Sequence, residues 1–416
     1  MKPTLAAPGV DRALAHLDEL ARISSLPDAL ERVSLSPEHK LANALTAGWM
    51  REAGMETWQD QAGNQCGRLE GREPDLPALV LGSHLDTVKD AGRYDGMLGV
   101  MLAIEVVDRI RRSGRSLPFA LEVVGFTDEE GTRFGTALLG SRAFAGTWDD
   151  AWLGLTDRKG TTLADAARAF GLDPAAIREA GRRPEELVGY LEAHIEQGPY
   201  LEDAGRPLAA VSSIAGARRF ALTVTGRAGH AGGTPYDRRR DALVGAAEIV
   251  VEIERVAKET GTIGTVGRIR AFPGGVNVVP GTARFSLDLR AEFDEQRDGA
   301  WGRIDAFARE VCARRGLGWS VEEFYRADAV HCDPALQAAI EEGIRTVDPD
   351  PPVLWSRAGH DGMAVAAVTG IAMLFLRCGN GGISHHPDET VTTEDVRAAL
   401  DAFEAAVLAV ADRHGG

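Results

Sequence analysis

The residues with the clearest capacity for chemistry lie between Leu79 and Val100, where an apolar run gives way to polar side chains. His84 and Asp86 are two residues apart, so they face the same way in an extended segment. A histidine that binds a metal usually needs its other ring nitrogen held by a carboxylate or carbonyl, and Asp86 can hold His84 in this way. Asp95 follows in a glycine-rich loop. Alone, the same pattern also fits a strand end with two solvated aspartates.

Three more segments carry similar side chains, each after an apolar run: Glu129-Glu130, His194 and His385-His386. Because open α/β sheets gather functional groups at the carboxyl ends of their strands, we expect these residues to converge. Mixed histidine and carboxylate ligands suit zinc, manganese or another first-row divalent ion. One glutamate can bind metal while the other acts as base towards a water whose pKa the metal lowers from about 15.7 to near 7. The alternative for the glutamate pair is an acidic helix N-terminus.

The elements that must position these residues follow an alternating pattern. Strands are predicted at 58–69 (a pair), 77–83, 117–126 and 187–196, and helices at 37–53, 99–112 and 135–146. Alternating strands and helices predict an α/β domain with a mostly parallel sheet.

The pattern changes between residues 213 and 329. Four alternating strands are predicted at 218–226, 262–271, 283–290 and 319–325, with long helices at 238–260 and 294–315. This order is typical of an α+β unit with one solvated sheet face. From about Asp333 the α/β pattern resumes and ends in a helix from Thr393. We therefore predict one larger domain from residues 1–212 and 330–416, with residues 213–329 inserted as a second domain.

The composition excludes some partners. The 416 residues contain 46 basic and 62 acidic side chains, a net charge of −16, which disfavours nucleic acid and anionic membrane. The longest uncharged apolar run, Gly362 to Leu376, is shorter than the roughly 20 residues of a membrane helix. Asp11 and Asp18 interrupt the N-terminal segment, so we expect no signal peptide. The four cysteines have no paired spacing, which favours reduced thiols and a cytoplasmic location.

Eight motifs in order connect the chain to a known family. They are GSHLDTV, DGMLGV, TDEEGTRFG, EAHIEQGP, GRAGHAGGTP, NVVPG with SLDLR, AGHDGM and GISHHPDE. This set resembles the M20 metallo-hydrolases, and more narrowly their ureido branch of N-carbamoyl-L-amino-acid hydrolases, allantoate amidohydrolases and ureidoglycolate amidohydrolases. The resemblance implies a zinc-exopeptidase-like catalytic domain with an inserted lid and dimerisation domain, and hence a homodimer.

The resemblance also implies a site for two divalent ions, with zinc, manganese, nickel and cobalt left open. The implied ligands are His84 and His194 for one ion, Glu130 and His385 for the other, and Asp95 between them. Glu129 would be the general base, Asp86 would orient His84, and the Asp95–Gly96 peptide would be cis.

The substrate side of the site is implied in the same way. The implied contacts are His230, Asn277, Arg290, Gln197, Gly359 and His360. Arg290 would bind a substrate carboxylate, a role that suits its planar pair of donors. The chain departs from the family pattern at Ala217 (usually Gln), at Arg357 (usually Gly), and at Gly233 and Tyr236. We expect Arg357 either to contact a second anionic group of the substrate or to be solvated.

The resemblance, together with these residues, implies a metal-dependent amidohydrolase that cleaves the ureido C–N bond of a small N-carbamoyl-type acid and releases ammonia and CO2. An M20 dipeptidase or aminoacylase is the alternative among enzymes. A metal-dependent binding protein without catalysis is the alternative from another class, although the presence of Glu129 argues against it.

Overall fold

The computed structural model describes residues 9–414, so the first eight residues and the last two of the predicted larger domain lie outside that range. The chain divides into two compact units. The smaller unit consists of Ser213–Val330 with Trp355–Arg357, and the other described residues form the larger unit. None of the helices within residues 9–414 is long and apolar enough to cross a membrane.

The first part of the larger unit contains six α-helices and six strands. The helices are α1 (Val10–Leu20), α2 (Pro37–Glu52), α3 (Met97–Ser113), α4 (Leu139–Phe144), α5 (Leu163–Phe170) and α6 (Tyr200–Ala204). The strands are β1 (Glu56–Gln59), β2 (Gln65–Leu69), β3 (Ala78–His84), β4 (Ala120–Phe126), β5 (Leu187–Ile195) and β6 (Leu208–Ile214).

The smaller unit contains seven strands and two α-helices. The strands are β7 (Gly216–Thr225), β8 (Gly229–His230), β9 (Ile263–Thr265), β10 (Ile269–Phe272), β11 (Val278–Val279), β12 (Thr282–Ala291) and β13 (Gly318–Ala327). The helices are α7 (Ala242–Thr260) and α8 (Asp294–Arg315). The chain then completes the larger sheet and its helices with β14 (Val330–His331), α9 (Pro334–Arg345), β15 (Val353–Ser356), α10 (Gly362–Val365), β16 (Ile371–Leu376) and α11 (Thr393–His414).

The large sheet is mixed. Its strand order is β1-β2-β4-β3-β5-β16-β6-β14, and β15 pairs with β6. The central neighbours β4, β3, β5 and β16 run parallel, whereas β1–β2, β2–β4 and β16–β6 pair antiparallel. All seven residues of β3 and of β4 are buried, as expected for strands covered on both faces. The sheet was predicted to be mostly parallel; its centre is parallel, and its outer strands make it mixed as a whole.

Several predicted elements of the larger unit are confirmed, and one is shorter than predicted. Ser36 caps α2 by accepting the backbone N–H of His39, with Pro37 at the first helical position. The helix predicted over 135–146 is only Leu139–Phe144. The chain before it includes Gly135 at φ 76° and Leu138 at φ 66°, which are left-handed and incompatible with a continuous α-helix.

The sheet of the smaller unit has the predicted solvated face. Its order is β10-β12-β7-β13, with β9 also on β12. Along β12, Leu287 and Leu289 are buried in the core with α7 and α8, while Asp288 and Arg290, which alternate with them, stay partly exposed. The strand predicted over 262–271 is interrupted, because β9 and β10 pair with different stretches of β12.

Candidate metal centre

The five predicted ligands meet around the carboxylate of Asp95. Nε2 of His194 lies 3.1 Å and Nε2 of His84 lies 3.7 Å from Asp95 Oδ1. Nε2 of His385 lies 3.1 Å from Asp95 Oδ2 and 3.6 Å from Glu130 Oε2. Asp95 therefore has imidazole nitrogens at both of its oxygens.

The sheet brings the first two histidines together. His84 is the last residue of β3, and His194 lies one residue before the end of β5, its parallel neighbour. Nδ1 of His194 donates to the carbonyl of Ile195 at 2.8 Å. Nδ1 of His84 likewise donates to the backbone carbonyl of Asp86 at 3.0 Å. Because these contacts hold Nδ1, each ring turns Nε2 towards Asp95.

Asp86 contacts His84 as predicted, but not through its side chain. It holds His84 through its backbone carbonyl, while its carboxylate oxygen lies 3.7 Å from Nδ1. That carboxylate is engaged elsewhere, because it accepts the backbone N–H groups of Glu129 at 3.1 Å and Glu130 at 3.2 Å. Asp86 thus connects the end of β3 with the loop that follows β4.

The Asp95–Gly96 peptide is not cis, contrary to the prediction; the cis bond within residues 9–414 is Phe272–Pro273. The turn into α3 is made by Gly96 at φ 69°, a conformation that glycine adopts without steric cost. A Cβ atom at this position would lie 2.4 Å from Nε2 of His84. Glycine is therefore required for the close approach of this turn to the histidine ring.

The electrostatics of the centre favour cations. Burial raises the pKa of Asp95. Hydrogen bonds with His194, His385 and His84 outweigh burial and hold that pKa well below its usual range. The hydrogen bond with Asp95 raises the pKa of His385 to about 9. Burial and the charge of Asp95 raise the pKa of Glu130 to about 7. The carboxylates that meet here therefore favour positive charge, which a divalent ion would supply.

Two groups of side chains have the chemistry of metal sites. The groups are His84 with Asp95 and His194, and Asp95 with Glu130 and His385; within each, the ligand atoms lie within 4.8 Å of one another. Imidazole and carboxylate donors suit first-row divalent ions, so the residues present fit such ions. A third group, Glu192 with His194 and His360, shares His194 with the first. Glu192 already accepts a hydrogen bond from the hydroxyl of Ser83 at 2.8 Å.

Glu129 lies beside these groups without belonging to any of the three. Its Oε2 is 3.9 Å from Nε2 of His84. Burial raises the pKa of Glu129 well above its usual range, and the charges of Glu130 and Asp361 raise it further. A carboxylate in this setting readily takes a proton, as a general base must.

Of the residues predicted to contact substrate, three lie in the larger unit. Nε2 of Gln197 donates to Asp95 Oδ2 at 2.8 Å, so this side chain is held against Asp95. His360 is buried, with its ring centroid 4.4 Å from that of His194. Gly359 is exposed.

The other predicted contacts lie in the smaller unit. Arg290 donates to Asp288 at 2.7 Å and to the carbonyl of Arg357 at 2.7 Å. Ala217, where the family usually has Gln, lies directly opposite Arg290 in the pairing of β7 with β12. The guanidinium of Arg357 lies over the Trp355 ring, 4.4 Å from its centroid.

His230 and Asn277 are neighbours in the small sheet of β8 and β11. His230 pairs with Val278, and the N–H of Ala231 donates to the carbonyl of Asn277 at 2.8 Å. Nδ1 of His230 accepts the backbone N–H of Gly233 at 2.9 Å, and both predicted side chains are exposed.

A sequence profile of Peptidase family M20/M25/M40 matches residues 80–409. The chain belongs to the M20 family. It is 39% identical to the N-carbamoyl-L-amino-acid amidohydrolase of Pseudomonas sp. (strain NS671), covering 93% of this chain and 94% of that protein. It is 40% identical to the allantoate deiminase of Arabidopsis thaliana, and the match covers 94% of this chain and 80% of that protein. A crystal structure of a hydantoinase/carbamoylase family amidase from Burkholderia multivorans is similar, with a TM-score of 0.90 and 32% sequence identity. The match covers 97% of this chain and 98% of that chain.

Two buried residues near the centre of this M20 protein were missed in the sequence. Arg32 is fully buried and donates to the carbonyls of Leu20 and Leu85, the residue between His84 and Asp86. It lies in a segment without periodicity, so no pattern marked it. Glu389 belongs to the motif GISHHPDE, which marked its position but not its contacts.

Proposed function

We propose that this M20 family member is a metal-dependent amidohydrolase that cleaves the ureido C–N bond of a small N-carbamoyl-type acid. An N-carbamoyl-L-amino acid or allantoate is the proposed substrate, and water is consumed as ammonia and CO2 are released. The observation that carries this proposal is the meeting of His84, His194, His385 and Glu130 around Asp95. The relatives that bear these activities in their names align with more than nine-tenths of the chain, which supports the choice of reaction.

The proposed centre holds two divalent ions, zinc, manganese, nickel or cobalt. His84 and His194 would hold one, Glu130 and His385 the other, and Asp95 would lie between them. When bound, such ions polarise a carbonyl group and lower the pKa of water. Their four positive charges would also offset the carboxylates that crowd this part of the larger unit.

Glu129 is the proposed general base. It would accept a proton from the attacking water and return it to the leaving nitrogen, which departs as an amine or ammonia. Burial and the neighbouring carboxylates, which raise its pKa, allow Glu129 to hold that proton between the two transfers. Asp86 would keep the glutamate in place through the backbone N–H groups that it accepts.

The proposed substrate contacts include residues of each unit. Arg290 would bind the substrate carboxylate, and the further proposed contacts are His230, Asn277, Gln197, Gly359, His360 and Arg357. Residues 213–329 would act as a lid and dimerisation domain, with residues 1–212 and 330–416 as the catalytic domain. Closure of such a domain excludes water from the reacting groups.

A homodimer is proposed to form through the smaller unit. Large apolar side chains are exposed there, including Tyr236, Val251 and Val276. Sedimentation of the purified protein tests this directly. A dimer that becomes a monomer in Val251→Asp would support the proposal, and a fully active monomer of the unaltered chain would contradict it.

The proposed reaction is tested with a substrate panel. Ammonia release is measured from N-carbamoyl-L-amino acids and allantoate, and amine release from dipeptides and N-acetyl amino acids. Turnover of the ureido compounds, mostly lost in Glu129→Gln, is the expected result. Turnover of dipeptides or N-acetyl amino acids alone would replace the proposal with a dipeptidase or aminoacylase. Binding without turnover in every case would leave a metal-dependent binding protein.

A further inference from the structure

Glu389 makes hydrogen bonds to the loop that carries Asp95. The side chain is buried, with 5% of the residue exposed. Its Oε1 accepts the backbone N–H of Tyr94 at 2.8 Å and that of Asp95 at 3.1 Å. The loop also packs closely on the side chain, because a Cβ atom at Gly92 would lie 2.3 Å from the carboxyl carbon of Glu389.

The second oxygen of Glu389 reaches the loop that carries His385. Oε2 accepts the hydroxyl of Ser384, the residue before His385, at 2.7 Å. The same hydroxyl oxygen lies 3.1 Å from Oδ2 of Asp95. The carboxylate therefore joins two loops that are almost 300 residues apart in sequence, and each loop carries one proposed ligand.

The loop that carries His385 has an irregular, glycine-rich backbone. The chain before His385 passes through three consecutive left-handed residues, Asn380, Gly381 and Gly382, and His385 itself has φ 54°. Glycine-rich segments have many alternative conformations to lose on ordering. A buried carboxylate that accepts from both loops restricts those alternatives.

We propose that Glu389 is a positioning residue that holds Asp95 and His385 at the spacing of the second metal group before an ion binds. This inference rests on the metal-binding part of the proposed function. Residues that hydrogen-bond to metal ligands without touching the ion typically increase metal affinity by about 10–100-fold. Glu389 would touch neither the ion nor the substrate.

The test compares three variants by titrating metal-free protein with Co²⁺ and recording its visible absorption. Glu389→Ala removes both sets of hydrogen bonds, and we expect affinity at one of the two sites to fall by about 10–100-fold, with a changed spectrum. Glu389→Gln can still accept from Tyr94 and Asp95 and can donate to Ser384, so its affinity should fall less than about tenfold. Asp395→Ala is the matched control.

Asp395 is also a buried acid of the larger unit. It accepts the hydroxyl of Thr392 at 2.7 Å and pairs with Arg377 at 2.8 Å. We expect Asp395→Ala to lower thermal stability without changing Co²⁺ affinity or spectrum. A purely structural role for Glu389 would give the same pattern as this control.

The outcomes separate the two claims. If the unaltered protein binds no Co²⁺, the metal-dependent function itself fails. If it binds two ions and folded Glu389→Ala binds them with unchanged affinity and spectrum, the positioning role is wrong. Should Glu389→Ala fail to fold, Ser384→Ala removes only the bridge to the His385 loop. Its affinity should then fall at one site, and an unchanged affinity would overturn the inference.

Discussion

Asp86 accepts the backbone N–H of Glu129 through one carboxylate oxygen, at 3.1 Å. Its other oxygen accepts the N–H of Glu130 at 3.2 Å, and its carbonyl accepts Nδ1–H of His84. One residue thereby fixes the proposed base and two proposed ligands. Asp86 is therefore an orienting group for two loops, and its effect should extend beyond the histidine.

Replacement of Asp86 by asparagine tests this arrangement. The amide can accept only one of the two N–H groups and turns a donor towards the other, so we expect kcat to fall by about 10–100-fold. Metal content is measured in parallel and should be mostly retained. Asp333→Asn is a matched control, since Asp333 also accepts two backbone N–H groups, at 2.9 and 3.0 Å, at the start of α9. Equal kcat values in the Asp86 variant and this control would contradict the assigned role.

Glu129→Gln should keep the fold and the metal and lose most turnover. The amide is nearly isosteric but cannot accept a proton from water, and general bases typically contribute about 10²–10⁴-fold. The measurement is kcat together with metal analysis of the same sample. Glu130→Gln should differ by losing metal as well. A Glu129→Gln variant with nearly unchanged kcat would remove this residue from the mechanism.

Metal affinity should rise with pH. An ion needs a neutral imidazole and an ionised carboxylate, so it competes with protons. Burial and Asp95 raise the pKa of Glu130 to about 7, and the hydrogen bond with Asp95 raises that of His385 to about 9. Raising the pH through 7 ionises Glu130, and raising it through 9 neutralises His385, so the apparent affinity increases across this range and then levels. Metal titrations at pH 6, 7, 8 and 9 check this, and a constant affinity would contradict it.

Substrate choice should depend on Arg290 and Arg357. Arg290→Ala removes the proposed ion pair with the substrate carboxylate. We expect kcat/KM to fall by an amount that corresponds to on the order of 2–5 kcal/mol of lost transition-state binding. Arg357→Gly should change the ratios of kcat/KM within the substrate panel while metal content stays the same. Arg219→Ala is the control, because Arg219 pairs with the same Asp288, at 2.9 Å. Unchanged ratios in Arg357→Gly would exclude Arg357 from specificity.

The parts of the centre that could be predicted follow from strong local patterns. The apolar run of β3 ends in His84, and that of β5 ends just after His194, so the strand periodicity located both. Helix α8 has the predicted bounds because a first turn with Asp294 and Glu295 and a glycine after Arg315 mark its ends. Such signals lie within a few residues of the element that they define.

The features of the site that the sequence did not predict depend on contacts between segments that are distant in the chain. The direction of the Asp86 carboxylate is decided by N–H groups more than 40 residues away. Gln197 turns onto Asp95 at φ 57°, a left-handed conformation that its residue type does not suggest. Glu389 was visible within a motif, yet two of its partners, Tyr94 and Asp95, belong to a loop almost 300 residues earlier in the chain.

Restoration of activity by metal tests the central claim most directly. Protein freed of metal by chelation is supplied with increasing amounts of Mn²⁺ or Co²⁺, and ammonia released from N-carbamoyl-L-amino acids and from allantoate is measured. We predict no release without metal and a rise that reaches its plateau at two ions per chain. Ammonia release at the full rate in excess chelator, or none from any ureido acid with every metal restored, would contradict the account.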